Sequence, residues 1–543
     1  MPEPDSSDAP TPDGTMPVRA GDASASVVER HIDDLLRAHE QRRRQLPRAL
    51  AVGLAAGLLA VAFRFALYWA EWWRDALVTR AHAMGALGAV LPLALSIGGA
   101  VLAVAVVRRF APEAAGSGIP HLKAVLGNLR PLAGPRLVPI KFLGGLLAIG
   151  SGLSLGREGP TIQMGGAVGQ IVGSWLRCTS RERRTLVAAG AGAGLSAAFN
   201  APLAGLVFVL EEVQRDFGAN VFAATLAASV AADIVARLLL GQTPLFHVAI
   251  EAIPELSLLP LASVVGLAAA VFGVAFNRGL LASLNAFDRL RARAAWAPAA
   301  TAGLLTGLVL WFAPPLVGTG RALMDDMLTG DMGLLALTGI FAVRFVLVLA
   351  AYGCGAPGGI FAPMLVLGAA LGLAIANAAG TLVTLSGNDL RAVAVVGMAA
   401  YFSAIVRAPL TGIVLMVEMT GQYALVLPLV LASAIAYGVA EFLRDPPIYQ
   451  SLLERELRAA HEPNRLAEPL LLQLSIVAGA PFDGRRVRDL ALPPGCLVIA
   501  IERDGMNHVP TADAVLVEGD RVHVLVAPDA SEAIGPLRRG AGA

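Results

Sequence analysis

Charge is scarce in this chain. Asp, Glu, Lys and Arg make up only 15% of its 543 residues, against about 25% in ordinary globular proteins. A soluble protein of this length would carry polar surface over two to four domains, and the charges to cover them are missing. The net charge of +1 leaves no long-range field of either sign, so recruitment of nucleic acid is excluded as a function class. Cysteine is nearly absent: Cys178, Cys354 and Cys496 form no CxxC pair, which argues against a disulfide framework or a structural zinc. None of the eight histidines stands in an HExxH motif, so the sequence calls for no metal and no cofactor. Abundance lies elsewhere. Hydrophobic residues make up 56%, with 58 glycines besides, and the mean hydropathy is +0.65. The second solvent of such a chain is lipid, and a soluble enzyme is excluded.

Along the chain, residues 1–28 are rich in Pro, Ser, Asp, Ala and Gly and read as a disordered tail. A basic helix over 29–48 follows, containing Arg42-Arg43-Arg44, and basic residues before a first span favour a cytoplasmic N-terminus. From 49 to 455 apolar segments follow one another. At about 20 residues per straight crossing there is room for more than a dozen helices, many cut by Gly and Pro, as in Gly150-Ser151-Gly152 and Ala356-Pro357-Gly358-Gly359. Broken helices at membrane depth survive only where protein or a polar cavity satisfies the freed backbone. Residues 456–468 read as a linker. Residues 469–543 read as a small α/β domain, with strands expected at Leu470–Val477, Cys496–Ile501 and Arg521–Val526 from burial and alternation.

The apolar region repeats itself. Ala201-Pro-Leu-Ala-Gly-Leu-Val-Phe-Val-Leu-Glu211 matches Ala408-Pro-Leu-Thr-Gly-Ile-Val-Leu-Met-Val-Glu418, an offset of 408 minus 201, or 207. Pro160, Gly165 and Gly169 match Pro363, Gly368 and Gly372 at 203; Lys141-Phe142 matches Arg344-Phe345 at the same offset, and Gly116-Ser117-Gly118 matches Gly318-Thr319-Gly320 at 202. Two halves, about 49–235 and 255–445, follow from this register, and corresponding broken segments in two halves point to a binding site between them.

Gly116-Ser-Gly-Ile-Pro120, Gly156-Arg-Glu-Gly-Pro160 and Gly359-Ile-Phe-Ala-Pro363 share one design, a glycine turn with proline at or near the start of a helix. A helix starting in mid-membrane points unpaired N–H groups and the positive end of its dipole inward. Several such ends hold an anion without the full charge that would prevent its release; ordinary loops between spans are the plainer reading of each taken singly. Glu158 has only Arg157 as a charged neighbour in an apolar segment, which marks it as functional because lipid-facing charge is costly; a surface Arg157–Glu158 pair is the alternative. Glu211 matches Glu418 but Glu212 matches Met419. One glutamate is therefore expected to be structural and the other particular to its half, unless both simply end a solvated helix.

Three motifs mislead. Gly152-Leu-Ser-Leu-Gly156 fits GxSxG but lacks the preceding strand of a nucleophile elbow. Gly190-Ala-Gly-Ala-Gly194 resembles a dinucleotide loop yet sits in an apolar helical run, where small residues serve close packing, as they do at Gly53 and Gly57. No TVGYG-like filter occurs, which speaks against a potassium pathway.

The glycine motifs, Phe199-Asn-Ala-Pro-Leu-Ala-Gly205 and Tyr449 in Pro446-Pro-Ile-Tyr together resemble the CLC family of chloride channels and transporters. The resemblance implies an all-α polytopic fold of two inverted repeats of tilted and broken helices, assembled as a homodimer in the lipid bilayer. It assigns chloride coordination to Ser117 with Gly118 and Ile119 of its loop, to the Ile360 and Phe361 N–H groups, and to the Tyr449 hydroxyl. Glu158 corresponds to a gating glutamate, and Glu212 to the proton-transfer glutamate of the family's exchangers. The implied function is chloride/proton antiport in a prokaryotic inner membrane with both termini cytoplasmic, the alternative being a passive chloride channel. Phe482-Asp-Gly-Arg-Arg-Val-Arg-Asp-Leu490, Leu497-Val-Ile-Ala-Ile501 and Val517-Glu-Gly-Asp-Arg-Val-His-Val524 resemble a TrkA-C domain, which implies a cytoplasmic regulatory or dimerising role and leaves room for an unidentified small ligand.

Overall fold

The computed structural model describes residues 20–130, 134–215, 217–242, 256–329, 332–382, 384–459, 469–503 and 506–542. Most of the expected tail (1–19), most of the linker (460–468) and the Asp504-Gly505 turn lie outside these. Within these residues, sixteen α-helices make up the apolar region. The first half holds α1 (Ala20–Ala83), α2 (Val90–Phe110), α3 (Ile119–Leu126), α4 (Leu137–Gly150), α5 (Glu158–Trp175), α6 (Ser180–Phe199), α7 (Pro202–Phe208) and α8 (Ala219–Leu240). The second holds α9 (Leu259–Arg293), α10 (Ala297–Phe312), α11 (Arg321–Thr329), α12 (Leu334–Gly353), α13 (Phe361–Ala379), α14 (Gly387–Val406), α15 (Pro409–Thr420) and α16 (Val426–Phe442). α17 (Ile448–Ala459) follows. Among the described residues eight helices are long and apolar enough to cross a membrane, and the others are shorter or less apolar.

One expected boundary is absent. The basic helix over 29–48 and the first span are a single helix, α1, which runs through Pro47. Residues 20–28, expected as tail, are its first turns. They include Ala20, Ala23 and Ala25, and a preformed helix removes the nucleation cost that would keep so short a segment unfolded.

The repeat is visible in the packing. α5 lies on α6 as α13 lies on α14, and α1 on α8 as α9 on α16, while α2 meets α10 and α7 meets α15 across the halves. Small residues make the close approaches possible. A Cβ on Gly165 would lie 2.1 Å from the Gly190 carbonyl oxygen, and one on Gly368 would lie 2.6 Å from that of Gly397. The helix ends are duplicated too. Thr179 with Glu182 closes a capping box on α6, as Ser386 with Asp389 does on α14, satisfying N–H groups that a helix leaves open. Asn200 and Arg407 end these helices in the left-handed conformation, at φ 55° and 64°. The equivalent residues Gly156 and Gly359 meet in an antiparallel bridge, so α5 and α13 start head to head, as an inverted pair would.

The C-terminal domain is an antiparallel sheet of β1 (Leu470–Ser475), β2 (Cys496–Arg503), β3 (Met506–His508) and β4 (Arg521–Val526), in the order β1-β4-β2-β3. α18 (Ile534–Ala541) closes its core through Leu537, which is buried with Leu472, Val498 and Val524. The turns at Gly484, Gly495 and Gly519 have φ of 75°, 80° and 87°, a region glycine enters without steric cost. Leu129, just beyond α3, packs against this core and ties the domain to the helices.

Candidate functional site

The three glycine loops are tied to one another by backbone hydrogen bonds. Gly156 and Gly359 exchange N–H···O bonds of 2.7 Å each, and the Gly358 N–H donates to the Gly116 carbonyl at 2.9 Å. A side chain at Gly159 could not fit, since its Cβ would lie 2.8 Å from the Ser117 carbonyl oxygen and 2.9 Å from the Gly359 Cα. Gly118 has φ 80°, and α3 begins at the next residue. Pro120, Pro160 and Pro363 stand in first turns, where a missing N–H costs nothing. Three helix N-termini thus converge on one buried place, and their open N–H groups and dipoles favour negative charge there.

The Glu158 carboxylate lies in that place. The residue is 1% exposed. Its Oε2 accepts the Ala362 N–H at 3.4 Å and lies where a Cβ on Gly156 would come within 2.0 Å of it. Arg157 donates to the Ala198 carbonyl at 3.0 Å, and the burial of Glu158 overturns the alternative of a surface Arg157–Glu158 pair. Ser117 is buried; its Oγ accepts from the Ile119 N–H at 3.4 Å and from the Tyr352 hydroxyl at 3.5 Å. Tyr449, in the first turn of α17, is fully buried, and its hydroxyl has no hydrogen-bond partner among the described residues. Its ring stacks 6.3 Å from that of Phe361, which in turn meets Phe208 at 5.3 Å and Phe402 at 4.8 Å. Ile360 immediately precedes α13 and Phe361 is its first residue, positions whose N–H groups have no partner within a helix.

Glu212 lies in a π-helical turn, Val209–Val213, that continues α7; such turns are frequent at functional sites. It is fully buried, with the Lys123 Nζ 2.5 Å from Oε1 and Arg215 3.6 Å from Oε2. Lys123 belongs to α3, so one short helix carries both the Ser117 loop and the partner of Glu212. The neighbouring glutamate behaves differently. Glu211 accepts the Leu410 N–H at 3.1 Å and the Thr411 N–H and hydroxyl at 2.7 Å each. Glu418 accepts the Leu203 and Ala204 N–H groups at 3.0 and 2.7 Å. Each half's glutamate therefore caps the other half's helix, and neither is a merely solvated end.

The sequence reading missed Tyr352 and Lys123. Lys123 had a signal, being the one cation in an otherwise apolar stretch; Tyr352 had none. The misleading motifs are settled by packing. Ser154 lies in the loop between α4 and α5 with no strand before it. A Cβ on Gly194 would lie 2.1 Å from the Thr161 carbonyl oxygen, and one on Gly53 2.3 Å from that of Ala228, so both glycine pairs serve helix contacts within the chain.

A multi-pass helical membrane protein that aims duplicated half-helices at a buried carboxylate is, by class, built for moving ions. The particular family follows from comparison with known proteins: residues 99–441 match the family described as voltage gated chloride channel, and 471–537 match the TrkA-C domain. The chain belongs to the voltage-gated chloride channel family. It is 42% identical over 386 residues to the H(+)/Cl(-) exchange transporter ClcA of Vibrio parahaemolyticus, covering 68% of this chain and 82% of that one. To ClcA of Klebsiella pneumoniae it is 40% identical over 376 residues, covering 68% and 80%. Among solved structures it is similar to a slow cyanobacterial Cl-/H+ antiporter, with a TM-score of 0.74, 37% identity, and 77% and 99% of the two chains covered. A eukaryotic CLC transporter, at TM-score 0.66 and 23% identity over 82% and 78%, shares the fold.

Proposed function

We propose that this protein is a secondary active transporter that exchanges chloride for protons, with Glu158 as gate and Glu212 as inner proton carrier. The observation that carries the reading is the Glu158 carboxylate on the Ala362 N–H, among helix N-termini suited to an anion. Protonation removes the charge that holds it there, and chloride takes its place. The anion then has the Ser117 and Tyr449 hydroxyls and the Ile360 and Phe361 N–H groups as donors, with Gly118 and Ile119 shaping the loop. Glu212, buried against Lys123, receives the proton from the other side. The relatives named as H(+)/Cl(-) exchange transporters support exchange over a passive channel.

The basic residues ahead of the first span support cytoplasmic termini in a prokaryotic inner membrane, and a homodimer is the expected assembly. The TrkA-C-like domain, joined to α3 through Leu129, is the expected point of regulation by a small ligand. Liposomes test the central claim. A tenfold chloride gradient supplies about 1.4 kcal/mol per ion and drives protons uphill; a passive channel leaves protons at rest. Glu212→Gln and Glu158→Ala are each expected to keep chloride flux and lose coupled protons. Full coupling in Glu212→Gln removes that residue from the mechanism.

A further inference from the structure

The duplication supplies a second copy of the Ser117 loop, which the exchange cycle above does not use. Gly318-Thr319-Gly320 matches Gly116-Ser117-Gly118 in conformation as well as in sequence: φ is 66° and 78° at Gly318 and Gly320, and 58° and 80° at Gly116 and Gly118. Buried cations hold the two loops in the same way. Lys141 donates to the Ala114 and Gly116 carbonyls at 2.8 and 2.7 Å, and Arg344 donates to those of Leu316 and Gly318 at 3.1 and 3.0 Å. Each loop leads straight into a helix, α3 in one half and α11 in the other.

What the second loop faces is different. It borders a cavity of about 300 Å³ that has Glu158 in its wall and is lined by three arginines, Arg64 from α1, Arg157 ahead of α5 and Arg321 at the start of α11. Arg64 donates to Asn200 Oδ1 at 3.4 Å and Arg157 to the Ala198 carbonyl at 3.0 Å. A guanidinium has five N–H donors, so most of theirs remain for a ligand. Besides Glu158 the cavity has one carboxylate, Glu71, which accepts the Thr319 hydroxyl at 3.2 Å. The remaining wall is apolar, from Leu67, Phe199, Met324, Leu365 and Val366. A concave, mostly apolar space with a few convergent polar groups, at the lower end of the roughly 300–1,000 Å³ typical of small-molecule sites, is roomier than a chloride ion needs.

We propose that this cavity binds organic monoanions, a carboxylate or sulfonate on a compact apolar body. The acid group lies against Arg64, Arg157 and Arg321, where planar guanidinium forks match its oxygens, and the apolar body lies along Leu365 and Val366. Resting on the reading of Glu158 as gate, an occupant obstructs movement of the carboxylate out of its place in the cavity wall and inhibits exchange.

The probe is 4-methylbenzenesulfonate, titrated by calorimetry into the purified full-length protein in detergent, with exchange followed in parallel in oriented liposomes. Saturable binding of one equivalent is expected, weakened about tenfold or more in Arg64→Gln and in Arg321→Gln, since each removes hydrogen bonds between charged groups. Arg321 is exposed at a helix start, so its variant still reports if Arg64→Gln fails to fold. Benzyltrimethylammonium, of similar bulk and opposite charge, is expected not to bind. Binding that is unchanged in both arginine variants, or equal binding of the cation, overturns the proposal. Binding retained in Glu212→Gln supports the site whatever that variant does to protons. Arginine-dependent binding without inhibition supports the site and counts against Glu158 as gate.

Discussion

Tyr449→Phe separates the demands of folding from those of the anion. The Tyr449 side chain is fully buried and its hydroxyl has no partner among the described residues. A buried, unpaired hydroxyl costs about 1–3 kcal/mol. Phenylalanine removes that oxygen and leaves the ring beside Phe361. Without chloride, the variant is therefore expected to be at least as stable as the parent, by up to that amount. With chloride the sign reverses. A hydrogen bond to a charged group contributes about 1.5–3 kcal/mol, which corresponds to about a tenfold to hundredfold loss of affinity. Thermal unfolding in chloride-free buffer and calorimetric chloride titration of the same sample measure both quantities. Ser117→Ala supplies the contrast, because Ser117 accepts from Ile119 and Tyr352; its loss lowers stability and affinity together. A lower melting temperature for Tyr449→Phe without chloride, or an affinity within twofold of the parent, refutes the reasoning.

The reciprocal caps give a second expectation. Glu211→Ala and Glu418→Ala each open a helix N-terminus, at about 1–2 kcal/mol per lost cap. Each glutamate also follows or lies on the helix that the other caps, so the double variant costs less than the sum of the singles; strict additivity in thermal unfolding refutes the coupling. In the C-terminal domain, the Arg503 guanidinium hydrogen-bonded to Asp520 at 2.7 Å holds that carboxyl below the usual carboxylate range. A group with a lowered folded value stabilises above its unfolded value, about 3.9 for Asp, and the contribution is lost as pH falls through the folded value. Asp520→Asn therefore speeds hydrogen exchange along β4 at neutral pH, and the difference from the parent closes below about pH 4.

Much of the site was legible because glycine and proline act locally. A turn that needs φ near 80° at Gly118 and a proline at the head of each half-helix leave marks in sequence whatever lies around them. The duplication was legible for a related reason: a Cβ is as impossible at Gly190 beside Gly165 as at Gly397 beside Gly368, so both halves keep glycine at matched positions. The partners of these local features were not legible. Tyr352 reaches Ser117 across 235 residues of chain, and Lys123 reaches Glu212 across 89. Nothing in the periodicity of α12 or α3 specifies which residue their polar side chains will meet. The merging of residues 20–28 of the expected tail with the basic helix in α1 shows the converse error, since composition favours disorder only in a segment that has no helix to extend.

The proposed exchange cycle gives the two equivalent halves different tasks, and the divergences between them fall at the candidate site. Where both halves need the same backbone held, the side chains agree in kind: Lys141 and Arg344 bind loop carbonyls, and Glu211 and Glu418 cap facing helices. Where an ion must be treated differently on its two sides, they part. Glu212 is matched by Met419, Ile119 by Arg321, and Tyr449 comes from α17, beyond the second repeat. A perfectly symmetric pair would put a proton carrier and the same anion ligands at both ends of the path, and would give neither end a distinct task. Duplication supplied the converging helix ends; on the proposed cycle, these substitutions give the two ends of the path different tasks.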